Sequence, residues 1–143
     1  MVETSELPRK HWMAVLAKAA PLRLAELMPD LPAHTLLRAP EIGAVMVRGR
    51  AGGTGEAFNL GEMTVTRASV RTVGHAWVQG RDKGHALRAA VADAVLQTAD
   101  AGQVQAKVID PLVAEAREAA RSRAETAATT KVDFFTMVRG EDA

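Results

Sequence analysis

The strongest constraint on this chain is a change of hydrophobic period partway along it. Residues 43–50, 58–71 and 73–79 alternate with period two, whereas the flanking segments repeat with the 3.6-residue period of a helix. In the first run Val45 and Val47 fall on one side and Met46, Arg48 and Arg50 on the other. In the second, Met63, Val65, Arg67, Ser69 and Arg71 share a face opposite Glu62, Thr64, Thr66, Ala68 and Val70. In the third, Val73, His75, Trp77 and Gln79 alternate against Gly74, Ala76 and Val78. Residues 35–38 are extended in character ahead of Pro40, which disfavours helix at Ala39. Before this region, residues 7–28 place Trp12, Val15, Leu16 and Ala19 on one helical face, with Pro21 dividing the segment. After it, residues 84–98 form a helix with Leu87, Ala90, Val91, Ala94 and Val95 on one face. A second helical stretch runs over about 103–128, with Asp110–Pro111 marking a kink or a fresh start. The terminal segment Val132–Val138 is apolar and strand-like. Short connections between adjacent strands favour antiparallel pairing. The expected class is α+β: N-terminal helices, a central antiparallel β meander, C-terminal helices and a terminal strand-like segment, in one domain over residues 1–143.

The core must be built from small side chains. Alanine occurs 28 times, whereas the aromatic residues are Trp12, Phe58, Trp77, Phe134 and Phe135. Alanine favours helix and close approach but buries little area per residue. Such a chain is expected to lean on a partner surface and to self-associate when isolated. With no cysteine, disulfides, thiolate nucleophiles, iron–sulfur clusters and cysteine-based zinc sites are excluded. The longest run without Asp, Glu, Lys or Arg is Thr72–Gly80, nine residues, too short for a membrane helix. The apolar run Trp12–Ala17 is too short for a secretory signal, so a cytoplasmic location is expected. A net charge of +1 and sparse aromatics argue against nucleic acid as a partner.

No catalytic constellation is legible. His11, His34, His75 and His85 lack metal-ligand spacing, and Ser5, Ser69 and Ser122 lack a nucleophile-elbow pattern. Neither a catalytic residue, nor a metal site, nor a cofactor is expected. Two segments suit an anion. One is the loop Arg48–Gly–Arg50–Ala–Gly52–Gly53–Thr54–Gly55, whose backbone N–H groups and two arginines could approach a phosphate, although no Walker pattern follows. The other is Arg81–Asp82–Lys83, where a strand gives way to a helix capped by Asp82 or Gly84. The alternative in each case is an ordinary connection: a flexible loop, and a capped turn with a surface ion pair. Arg67 and Trp77 are candidate interface residues on strand faces, with a solvated sheet face as the alternative. In the tail, Asp133, Phe134, Phe135, Met137 and Arg139 suit either own-core packing or docking to another chain.

Five segments in order carry a family resemblance: Arg9–Ala17 (RKHWMAVLA), Arg48–Gly55 (RGRAGGTG), Phe58–Arg67 (FNLGEMTVTR), Gly74–Lys83 (GHAWVQGRDK) and Val132–Glu141 (VDFFTMVRGE). From about residue 9 onward the chain resembles the PhnG family, the small G subunit of the bacterial carbon–phosphorus lyase system. The hairpin at 68–76 departs from the family pattern in being shorter. The resemblance implies a cytoplasmic subunit of a hetero-oligomeric core containing H, I and J subunits, with the K and L proteins as further partners. It implies a part in moving a phosphonate onto the ribose of ATP with release of adenine, giving a ribose 1-phosphonate 5-triphosphate. The nucleosidase chemistry belongs to the I subunit in that family and radical cleavage to J, so the G subunit is expected to be an accessory, non-catalytic one. The alternative is direct contact of its basic and glycine-loop residues with the triphosphate.

Overall fold

The computed structural model describes residues 9–71 and 73–132. Helix α1 spans Arg9–Lys18 and α2 spans Pro21–Leu27. The break is local: Pro21 opens α2 and holds Ala20 extended (φ −62°, ψ 128°), as a residue before proline prefers. Strands β1 (Leu36–Arg50), β2 (Ala57–Val70) and β3 (Gly74–Gln79) form an antiparallel sheet in the order β1-β2-β3. Helices α3 (Lys83–Leu96) and α4 (Ala101–Val104) follow. A π-helical turn, Gln105–Ile109, then leads into α5 (Asp110–Thr129). The α+β order read from the periodicity is the observed one. The terminal strand-like segment from Asp133 onward lies outside the described residues.

Two elements differ from expectation. β1 begins at Leu36 rather than at Gly43, despite Pro40. Its register slips between Leu36 and Arg38 and again between Arg38 and Glu41, so the proline sits in an irregularity where a lost ladder bond is tolerated. The kink or fresh start expected at Asp110–Pro111 is met as a fresh start, with Pro111 in the first turn of α5, but a widened turn rather than a break precedes it. Pro111 has no N–H for the carbonyl four residues back and its ring crowds that carbonyl; a π turn relieves both without breaking the helix.

Two compact units are distinguished, residues 1–113 and 114–143. In the first, α3 lies against the face of the sheet that carries Ala68, Val70, Ala76 and Val78, and Leu16, Leu24, Met28, Val108, Ile109 and Leu112 complete the core. Full burial of a Leu or Ile side chain is worth about 1.5–3 kcal/mol, so Leu16, Leu24 and Ile109 (each at most 1% exposed) contribute more apiece than the alanines. The alanines allow closeness instead. A Cβ at Gly74 would stand 2.1 Å from the Ala90 carbonyl oxygen, so helix and strand backbones meet there without a side chain between them. In the second unit, the helix from Ala114 to Thr129 holds no apolar residue larger than alanine. Arg121 bridges Glu118 (2.6 Å) and Glu125 (2.7 Å) along it. No helix among the described residues is long and apolar enough to cross a membrane.

Candidate functional site

The sheet register sets Glu41, Arg67 and Trp77 in one row, on the face opposite α3. Arg67 Nε donates to Glu41 Oε1 at 2.6 Å, its second nitrogen donates to the same oxygen, and Arg38 adds a bond of 3.2 Å. The Arg67 guanidinium also stacks on Trp77, with Cζ 5.4 Å from the ring centroid. Hydrogen bonding from Arg67, then the positive charges of Arg67 and Arg38, hold the Glu41 carboxyl below its ordinary range. Trp77 is 52% exposed, so the row presents an aromatic plane whose cation is fixed by its own carboxylate. In the neighbouring row Ser69 Oγ and His75 Nδ1 lie 2.8 Å apart. The two residues singled out as interface candidates, Arg67 and Trp77, are thus brought together.

Beyond β3 the hairpin continues as two strands. β3 ends at Gln79, opposite Val65, and the chain turns away at Gly80 (φ 95°), whose N–H is held by the Thr64 carbonyl at 2.9 Å. Residues 44–50 and 57–64 therefore form an arm without a third strand. It carries Met46, Phe58 and Leu60 exposed at 51%, 47% and 61%. At its tip a 3-10 turn, Ala51–Gly53, uses Gly52 (φ 62°) and Gly53 (φ 77°), a left-handed pair that side chains resist. Thr54 closes the turn, and the Gly55 N–H is taken by the Ala51 carbonyl at 3.3 Å. Arg48 and Arg50 flank this tip, and neither has an ion pair or side-chain hydrogen bond among the described residues.

Arg81 and Lys83 lie at the other end of the arm, beside Thr64. From there to Ala57 is seven residues of strand, about 23 Å at roughly 3.3 Å per residue. The two anion candidates are therefore separate sites. Asp82 caps α3, accepting the His85 N–H at 2.9 Å, so a carboxylate of the chain already occupies that helix start. Asp133, Phe134, Phe135, Met137 and Arg139 lie outside the described residues.

Two features escape the sequence reading. One is Asp93, fully buried at 0% exposure on α3. Its Oδ1 accepts from Arg9 Nε (3.1 Å) and Trp12 Nε1 (2.8 Å); its Oδ2 accepts from Arg9 Nη2 (2.7 Å) and the His75 backbone N–H (2.9 Å). Four donors occupy the carboxylate, so it clamps α1, α3 and β3 together and has no lone pair to spare as a base. The same bonds raise the Arg9 pKa further. The available signal was an acid enclosed by apolar residues in Val91–Ala–Asp93–Ala–Val95. The other is a cleft of about 780 Å³ between the Met28–His34 segment, α3 and the π turn, floored by Val70, Val91, Ala94 and Val108 and rimmed by Asp30, Asp100 and Lys107. Among the described residues no three His, Asp or Glu side chains converge as a metal site would require.

Comparison with known proteins bears on what such an arrangement serves. Residues 7–140 match the family model described as phosphonate metabolism protein PhnG. The chain is 46% identical over 142 residues to the alpha-D-ribose 1-methylphosphonate 5-triphosphate synthase subunit PhnG of Rhizobium meliloti (strain 1021), a match covering 94% of this chain and 90% of that protein. A match of that extent, through helices, sheet and arm alike, makes this chain a member of the PhnG family of phosphonate metabolism proteins.

Proposed function

We propose that this chain is a non-catalytic subunit of an α-D-ribose 1-methylphosphonate 5-triphosphate synthase, the enzyme named in its relative. Its partners are the H, I and J subunits, with K and L as further contacts, in the cytoplasm. Its contribution is to complete an assembly in which a phosphonate displaces adenine from ATP. The observation that carries the reading is the arm. A two-stranded ribbon with Phe58 and Leu60 about half exposed is marginal in water and gains stability when another surface covers it. The Asp93 carboxylate, the most deeply buried acid described, is spent on structure.

The test is co-expression with the other subunits, comparing wild type with a Phe58→Asp/Leu60→Asp double variant. Recovery of the complex and adenine release from ATP plus methylphosphonate are both expected to fall by at least about tenfold, the loss of one interface hot spot or more. Undiminished recovery and turnover would refute the arm's role.

A second reading rests on Arg48 and Arg50, two guanidiniums with no ion pair among the described residues, close in sequence to Gly52 and Gly53. In it the tip touches the triphosphate. Arg48→Ala/Arg50→Ala would then raise the KM for ATP of the assembled enzyme and leave complex recovery intact.

A further inference from the structure

The outer edge of β1 is open beyond its start. Near its start the edge is interrupted by the register slips around Arg38 and by Pro40, devices that blunt a strand edge. From Ile42 to Val47 the strand has no charge, no proline and no register slip: Ile-Gly-Ala-Val-Met-Val. The direction of its backbone groups follows from two bonds. The Thr64 carbonyl faces β3, since it accepts the Gly80 N–H, while the Arg71 N–H faces the β1 side, since it bonds the Thr35 carbonyl. Even-numbered β2 residues from Glu62 to Val70 therefore point toward β3, and their β1 partners point the opposite way. Thr66 pairs with Ile42, Thr64 with Ala44 and Glu62 with Met46. The N–H and C=O groups of Ile42, Ala44 and Met46 thus face outward, and by the same alternation so do those of Arg48. No backbone bond outside the β1–β2 ladder engages them among the described residues.

We propose that this edge pairs with the same edge of a second copy of the chain, antiparallel about a twofold axis at Val45, making one six-stranded sheet. Outward backbone groups specify an extended strand as the occupant. The side chains specify this strand in this register. Gly43 faces Val47 of the other copy and Ala44 faces Met46, so each small residue meets a larger one, and Val45 meets Val45. Arg48 falls opposite Ile42, and Arg50 opposite Pro40. Shifting the axis to Ala44 would set Arg38 against Arg50, a like-charge pair. The free edge, 42–48, is centred on Val45, so this register uses all of it. Phe58 and Leu60 lie on β2 and stay available to other subunits.

The absence of cysteine makes the test direct. At the twofold axis the two Val45 residues form a non-hydrogen-bonded pair, with Cα atoms about 4.5 Å apart, within disulfide reach. The two Ile42 residues are six positions apart along the ladder, about 20 Å. In the isolated full-length chain, Val45→Cys treated with oxidised glutathione is expected to give a covalent dimer at least about tenfold faster than Ile42→Cys. Sedimentation is expected to show a dimer of the wild type. Ala44→Pro, which removes an outward N–H but no β1–β2 bond, is expected to raise the dimer dissociation constant at least about tenfold with the secondary structure seen by circular dichroism retained. Three results would each overturn the proposal: a wild-type monomer at about 100 μM, equal cross-linking at the two cysteine positions, or a folded Ala44→Pro chain that associates as the wild type does. If Ala44→Pro fails to fold, the cysteine pair decides.

Discussion

Three residues carry more of this structure than their type suggests. Asp93 is a charged side chain inside an alanine-rich helix, and it holds α1 through Arg9 and Trp12 and β3 through the His75 backbone. Its replacement by alanine leaves the Trp12 and His75 N–H groups without an acceptor. The expected cost is about 3 kcal/mol or more, read as a fall in thermal midpoint; Arg9→Met, which strips a half-exposed partner, is expected to cost less. Val73 closes the turn between β2 and β3 at φ 64°, a left-handed position usually given to glycine. Glycine stands one residue later, where the approach of Ala90 to Gly74 demands it. Because Val73 is 55% exposed, Val73→Asn forfeits little packing and is expected to raise stability by about 1 kcal/mol, a shift of a few degrees in calorimetry. Glu41 has its pKa lowered by Arg67, so its pairing stabilises the fold above the unfolded carboxylate's pKa, near 4.5, and is lost as pH falls through the folded value. The gap in melting temperature between wild type and Glu41→Gln is therefore expected to be open at pH 7 and to close on acidification below the ordinary carboxylate range. None of these roles is visible in residue type alone, because each depends on which backbone lies opposite.

At the scale of elements the sequence was more informative. Period two and period 3.6 are properties of the chain itself, so the strands at Val45, Val65 and Trp77 and the helices at Leu16 and Val91 could be placed without coordinates. What periodicity cannot carry is an irregularity. The extra residue at Leu60, where Val47 pairs with Gly61 and Arg48 with Asn59, shifts the face of everything beyond it, and the slip near Pro40 extends β1 where proline argues for its end. Nor could alternation show that β3 stops at Gln79 while β2 has half its length still to run. That mismatch predicts uneven protection. In hydrogen exchange of the isolated chain, the Glu62 amide, which faces the side β3 does not reach, is expected to exchange orders of magnitude faster than those of Thr66 and Ala68, which face β3, and to slow once the other subunits are present. Equal protection at Glu62 and Thr66 would contradict the arm's exposure.

For the whole molecule, the five ordered segments pointed to the family that the comparisons establish, while the composition pointed to a chain that leans on neighbours. Among the candidate residues, Arg67 and Trp77 stand side by side while the tip and the Arg81–Lys83 pair lie apart, and sequence distance could not tell these cases apart because the arm's length was unknown. The chain by itself is expected to release no adenine from ATP and methylphosphonate, measured by chromatography against a heat-treated control. Turnover is expected when the other subunits are added.

The π turn at Gln105–Ile109 has a genealogical consequence. Such a turn is wider by one residue than an α-helical one, so that a chain one residue longer can pass through it with its buried contacts kept. Ile109 and Leu112 are those contacts here, both inward, with Pro111 between them. Lineages that lack the proline are expected to lack the extra residue as well, so that an alignment would open a one-position gap between Val104 and Leu112 and nowhere else in this helix. A proline without the added residue, or the residue without the proline, would date the two changes separately.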